Sequence, residues 1–313
     1  MTQHSSATRT GVGLLSRAGL LWGVAGVTAF SFTVPLTRVA VTAGLSPLFV
    51  GCGRAVVAAA LAAVALAATG QRLPRGRQWI RLAVIAAGVV VGFPVLTSYA
   101  LTTASAGHSA VVIALLPAAT AATAVVRERQ PVRPMFWLVA AVGAVVAVGF
   151  AALQGGQLIG LQWSDLLLLG AVLAAAVGYA EGGLMARELG AWQTVSWALV
   201  VSVPVTGALA GFAWWQQPSS AGVSEWAAFA YLSVVSMYLG FFAWYRGLAI
   251  GPMSSVSQIQ LIQPLLTMCW AAMILREGLT LPVVVGGAAV IVCATVAVRT
   301  RMSPSVRQEE LSS

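Results

Sequence analysis

Two side chains with chemistry to offer lie inside long apolar runs, Arg54 and Glu181. A charge deep in hydrocarbon costs at least about 2.5–3.5 kcal/mol, which makes each a functional candidate. Glu181 follows Asp165 by 16 residues, about 24 Å of helix, so it falls in the inner third of its span. It reads either as a proton-coupling or cation-attracting carboxylate, or as a structural acid bonded to a neighbouring helix or reaching the surface near Arg187. Arg54 lies about 12 Å below the outer end of its own span. It reads either as a contact for a substrate anion or gate, or as a structural donor to backbone carbonyls. Their depths differ, so a direct pair between them is not expected.

A polar stripe offers a second chemistry. Ser257, Gln260, Gln263, Thr267 and Trp270 step by 3, 3, 4 and 3 residues, which places them on one helical face. Amides turned to lipid would lack partners, so the stripe faces either a substrate pathway or another helix. Hydrogen bonds between helices are worth under about 1–2 kcal/mol each. Pro264 within the stripe removes a backbone donor and bends the helix, and Pro117 does the same in the fourth span. Tyr231, Tyr238 and Tyr245 recur every seven residues. The outer two suit the aromatic belts at the bilayer surfaces, whereas Tyr238 sits mid-membrane and is a pathway candidate. His108, near an outer end, reads first as an interfacial hydrogen-bonding group and second as a titratable gate. Thr28 and Ser31 are weaker pathway candidates.

Other chemistries lack their residues. The chain has one Asp, two His and three cysteines (Cys52, Cys269, Cys293) without paired spacing, so neither a zinc site, an aspartyl dyad nor a disulfide framework is indicated. All 17 basic residues are Arg, and without Lys there is no G-x-x-x-x-G-K-[ST] phosphate loop and no ATP-driven transport by this chain alone. No G-x-S-x-G elbow is present either. No cofactor, metal or catalytic residue is expected. An intramembrane enzyme or a receptor is the alternative class, and the latter lacks a sizeable loop for docking.

The elements that position these residues follow from composition. Of 313 residues 59% are apolar and 8% charged, against roughly 45–50% and about 25% in a soluble domain. Lipid is therefore the solvent for most of the surface, and the net charge of +9 reports cytoplasmic loops, not nucleic acid. Between Arg81 and Arg127 lie 45 residues without a formal charge, about 67 Å as one helix, so this stretch crosses twice with a turn near 103–107. The same logic predicts ten helices over 18–38, 46–69, 80–101, 107–126, 134–153, 165–185, 192–214, 226–246, 253–275 and 280–298, flanked by polar tails 1–17 and 300–313. With the N-terminus inside, fourteen arginines face the cytoplasm and two, Arg38 and Arg276, face out. That bias predicts both termini in the cytoplasm of a multi-pass plasma-membrane protein. The first segment is too long for a signal peptide's apolar run.

The halves also resemble each other. Tyr99, Gly107, Leu116-Pro117 and Arg127-Glu128 are echoed by Tyr245, Gly251, Gln263-Pro264 and Arg276-Glu277, each followed by a Gly-rich span. Tyr to Pro is 18 and 19 residues, and Pro to Glu is 11 and 13. Five spans per half is an odd number, so halves 18–153 and 165–299 run in opposite orientations, as in secondary transporters. Pairs Gly88/Gly92, Gly178/Gly182, Gly207/Gly211 and Gly247/Gly251 predict close helix contacts. These residues, with Trp163-Ser-Asp165 opening the sixth span, resemble the drug/metabolite transporter superfamily and its ten-helix EamA-type members. That resemblance covers about 18–300. It implies an all-α polytopic bundle of two inverted five-helix repeats in a bacterial plasma membrane. It further implies export of small amphipathic metabolites, amino acids or drug-like compounds, with a proton as the candidate coupling ion.

Overall fold

The computed structural model of the protein describes residues 6–128, 134–154, 162–250, 259–278 and 280–302. Among them every regular element is helical. The first half holds α1 (Ser6–Ser31), α2 (Thr33–Thr42), α3 (Pro47–Ala68), α4 (Gln78–Ile85), α5 (Phe93–Ala100), α6 (Ala106–Ile113), α7 (Leu116–Glu128) and α8 (Pro134–Gln154). The second holds α9 (Trp163–Leu189), α10 (Ala191–Gln216), α11 (Val223–Tyr231), α12 (Phe241–Ile250), α13 (Gln263–Leu275) and α14 (Leu281–Met302). All ten predicted segments contain helix. Among the described residues seven continuous helical spans are long and apolar enough to cross a membrane, and 134–147, 260–275 and 281–293 are shorter apolar runs. Exposed Leu21, Val64, Val145, Leu173 and Met273 are the lipid-facing side of this bundle.

Local signals set the helix starts. Ser46 accepts from Phe49 N at 3.1 Å with Pro47 behind it as the first helical residue, and Ser105 does the same for His108 N at 3.1 Å. Each satisfies a backbone donor that the first turn leaves free. Asp165 accepts from Gln162 N at 2.9 Å in a capping box that opens α9.

Breaks fall at matching places in the two halves. A π-helical stretch, Ala86–Gly92, joins α4 to α5, and another, Leu232–Gly240, joins α11 to α12. Both sit in the third span of a half. The fourth span breaks between Ile113 and Leu116, and Pro117 is the second residue of α7. A short 3-10 turn, Gln260–Ile262, precedes α13, whose second residue is Pro264. Proline is tolerated there because the first turn has no intrahelical acceptor for its missing N–H.

Packing is reciprocal between the halves. α1 lies along α12, while α9 lies along α5 and the first π stretch, so the first span of each half packs on the third span of the other. Second spans pair as α3 with α10, fourth spans as α6 with α13, and fifth spans as α8 with α14. Several of these contacts are close enough to require glycine. A Cβ on Gly88 would lie 3.1 Å from Gly178 N, one on Gly178 would lie 3.1 Å from Val89 N, and one on Gly247 would lie 2.8 Å from Gly23 N. Gly207 and Gly211 depart from the expected close contact, since a Cβ at either meets nothing within 4 Å. Gly251 lies outside the described residues.

Gly178→Leu is expected to lower the detergent melting temperature of the purified protein, by overpacking worth about 1–3 kcal/mol. Gly211→Leu leaves it unchanged, and equal effects at the two sites would contradict the packing.

Candidate functional site

A central cavity lies where seven helical spans converge. Phe30, Phe93, Met237 and Phe241 give it apolar walls, and Thr33, Arg54, Tyr179, Ser236 and Gln263 supply polar groups. Its size is about 30 Å³, where one water needs roughly 10–15 Å³ on the same measure. Among the described residues this cavity has space for a water or two and none for a metabolite. A smaller recess lined by Ala110, Pro117, Gln260, Gln263, Pro264 and Thr267 adjoins it and shares Val34, Ile113, Leu116 and Gln263. Both proline breaks thus open beside the cavity, and both π stretches reach it, through Val89 and through Ser236 and Met237. π segments inside α-helices recur at functional sites.

The predicted polar stripe divides. Gln260 and Gln263 turn inward, and Gln260 Nε2 and Gln263 Oε1 are buried without a protein partner. Thr267 lines the recess too but donates to Ser31 O at 3.0 Å. Trp270 Nε1 donates to Ser31 Oγ at 2.9 Å, and its ring stacks on Phe32 at 4.3 Å. The lower half of the stripe therefore ties α13 to the break between α1 and α2. Ser257 lies outside the described residues.

Tyr238 is set apart from the cavity, its hydroxyl 3.3 Å from Ser196 Oγ on α10. Tyr231 donates to Ala29 O at 3.2 Å. Tyr245 corrects the aromatic-belt expectation: it is 1% exposed and packs its hydroxyl over Gly182, whose missing side chain makes the room.

Arg54 lies on α3, 1% exposed, and makes no hydrogen bond or ion pair with a described residue. Glu181 is different. Arg81 on α4 binds one of its oxygens, and Arg127 Nε on α7 donates to the other at 2.9 Å. Arg81 also reaches Glu188 on α9. This network joins the halves at one end of the bundle, its arginines coming from the first half and its carboxylates from the second. Arg127 and Glu188 keep 53% and 47% of their side chains exposed, so water can take over much of the ion pairing if the end opens.

At the opposite end Glu277 joins the halves. It accepts from Ala106 N at 3.0 Å and Gly107 N at 2.9 Å, capping α6 across the halves. Arg38 approaches the same carboxylate at 3.4 Å and also donates to Leu101 O at 2.9 Å and to Ala104 O. Arg276, just before it, has φ 54°. That left-handed backbone, unfavourable for a side chain bearing Cβ, ends α13 one residue before the carboxylate that caps α6. His108 Nε2 and Asp165 Oδ1 are 2.6 Å apart, again across the halves, and the imidazole stacks on Phe150. The side chain of Glu128, counterpart of Glu277 in the sequence comparison, lies outside the described residues.

Sequence reasoning missed most of these partners. Arg81, Arg127 and Arg38 sit beside loops and read as topology signals, while Asp165 and Glu277 read as motif and repeat markers. A usable signal was present: five arginines and two of the few carboxylates fall at one end, at Arg72, Arg75, Arg77, Arg81, Arg127, Glu181 and Glu188. Tyr179 was missed because one tyrosine in an apolar run has no pattern.

The sequence model of the EamA-like transporter family matches residues 17–152 and again residues 162–299. The chain is 41% identical over 281 residues to a Bacillus subtilis (strain 168) protein named "Uncharacterized transporter YdeK", covering 90% of this chain and 97% of that one. It is also similar to a solved crystal structure at 20% identity with a TM-score of 0.61, over 90% of this chain and 98% of the other, which speaks to the fold.

Glu277→Ala strands two α6 amides and is expected to destabilise the protein by about 0.5–2 kcal/mol, read as a lower melting temperature. Glu277→Gln, which keeps an acceptor, restores most of the loss. A neutral Glu277→Ala would show that the cap contributes nothing.

Proposed function

The chain belongs to the EamA-like transporter family, and from that premise we propose that it is a secondary transporter exporting small amphipathic metabolites by alternating access between two inverted halves. The observation that carries this reading is a central cavity with charge contacts between the halves on either side of it. Opening either end separates the same two bodies, and the cavity between them is where a solute is held. The reciprocal packing and the matched proline and π breaks support two five-span repeats of opposite orientation.

Arginine distribution supports a plasma-membrane orientation with both termini in the cytoplasm, so the Arg81–Glu181–Arg127 network is the cytoplasmic gate and the Glu277 cap with Arg38 is the outer one. Glu181 then has a definite task. Protonating it removes the charge that holds Arg81 and Arg127, loosens the cytoplasmic gate, and links opening to a proton. Gln263, Gln260 and Thr267 contribute hydrogen-bonding groups along the pathway, with Pro117 and Pro264 as the bends. No bond is made or broken in this cycle and no cofactor is required.

Flux in proteoliposomes across a broad panel of small metabolites, with and without a pH gradient, tests the reading. Glu181→Gln is expected to stay folded, to lose the response to the pH gradient, and to expose cytoplasmic-end positions to thiol labelling. Unchanged flux and pH response would remove Glu181 from the cycle. Absence of flux for the whole panel, from folded protein, would count against transport.

A further inference from the structure

We propose that the central cavity recognises a small amphipathic monocarboxylate, with Arg54 holding the carboxylate. The inference rests on the transport reading and names its substrate class. A guanidinium is not deprotonated in proteins, and a charge buried without a partner is among the costliest arrangements a fold can keep. Arg54 is in that position, 1% exposed on the cavity wall with Nε unpartnered.

The protein's own carboxylates are spoken for. Among the described side chains, Asp165 is bound to His108, Glu181 to Arg81 and Arg127, Glu188 to Arg81, Glu225 to Ser224, and Glu277 to Arg38 and the start of α6. The missing counter-charge therefore comes from what enters the cavity. A planar guanidinium fork matches a carboxylate in two-point contact, and the partly unsatisfied Gln263 amide and the Tyr179 phenol share the cavity.

The rest of the lining selects among anions. Among the described lining residues Arg54 is the one cation, which balances a single negative charge and leaves a phosphate dianion half compensated. Phe30, Phe93, Met237 and Phe241 present apolar surface, so the ligand carries an apolar body, unlike chloride. An ammonium on the same ligand meets no carboxylate in the lining, which ranks a simple organic acid above a zwitterionic amino acid. At about 30 Å³ the cavity must widen to admit any of these, so binding favours a more open conformation.

The test uses the full chain purified in detergent and binding titrations with phenylacetate and hexanoate, their primary amides, phenylalanine and ionic-strength-matched sodium chloride. Each acid is expected to bind at least ten-fold more tightly than its amide, with phenylalanine weaker than phenylacetate and chloride without effect. Arg54→Met removes the preference for acid over amide, and Arg54→Lys, which keeps the charge, retains part of it. Should Arg54→Met fail to fold, the wild-type ratio and the Lys variant decide. Equal binding of acid and amide, a preference that survives Arg54→Met, or chloride competing equally with phenylacetate overturns the proposal. Flux arms in proteoliposomes separate the two readings: transport of neutral or cationic solutes without preference for acids discards the carboxylate site and leaves transport standing. No flux for any solute from folded protein discards transport itself.

Discussion

A charge placed in hydrocarbon has to find its opposite, and the organisation of this bundle follows from how few charges it has to match. With so little choice, most described ion pairs join residues far apart in sequence, and they do so at the ends of the bundle where water is near. Each links the first half to the second. Electrostatic contacts thereby fasten the two halves at both faces while leaving the middle of the membrane almost free of charge. Arg54 is the exception, and it gives the cavity a charge that no other described lining residue supplies.

Between the two ends, shape holds the halves together. Lipid tails are as apolar as the helices, so association depends on close approach and interhelical hydrogen bonds. Glycines at the α9 contact with the first π stretch and at the α1–α12 contact let backbones nearly touch. Thr267 and Trp270 tie α13 to Ser31, and the Thr33–Ser236 hydrogen bond of 2.7 Å links α2 to the second π stretch. These polar links are neutral and modest in strength. The centre is thus held by tight but individually weak contacts, and the ends by ionic ones.

How much of this was legible varied with the kind of signal. Helical segments could be read directly, because lipid demands apolar residues over a fixed length and punishes charge within it. The Pro117/Pro264 and Glu128/Glu277 echoes were legible as two similar halves, but the contacts these residues make were not. Only the folded chain shows that Glu277 caps α6 of the other half. The stripe on α13 was legible as a shared face, yet its division into cavity-facing Gln260 and Gln263 and helix-bridging Thr267 and Trp270 depended on which neighbour stood opposite. Tyr245 misled for the same reason, since its burial is decided by Gly182 on another helix.

Composition and order of residues determined by themselves that this is an all-helical membrane protein, where its helices run, and which charges are costly. Those properties are local: each depends on a residue and the lipid around it. Which carboxylate Arg81 meets, why Glu181 is paired while Arg54 is not, and where the cavity lies were decided by tertiary structure alone. Each is a relation between side chains on different helices, and the packing of two halves fixes that relation over distances along the chain that no spacing in the sequence encodes.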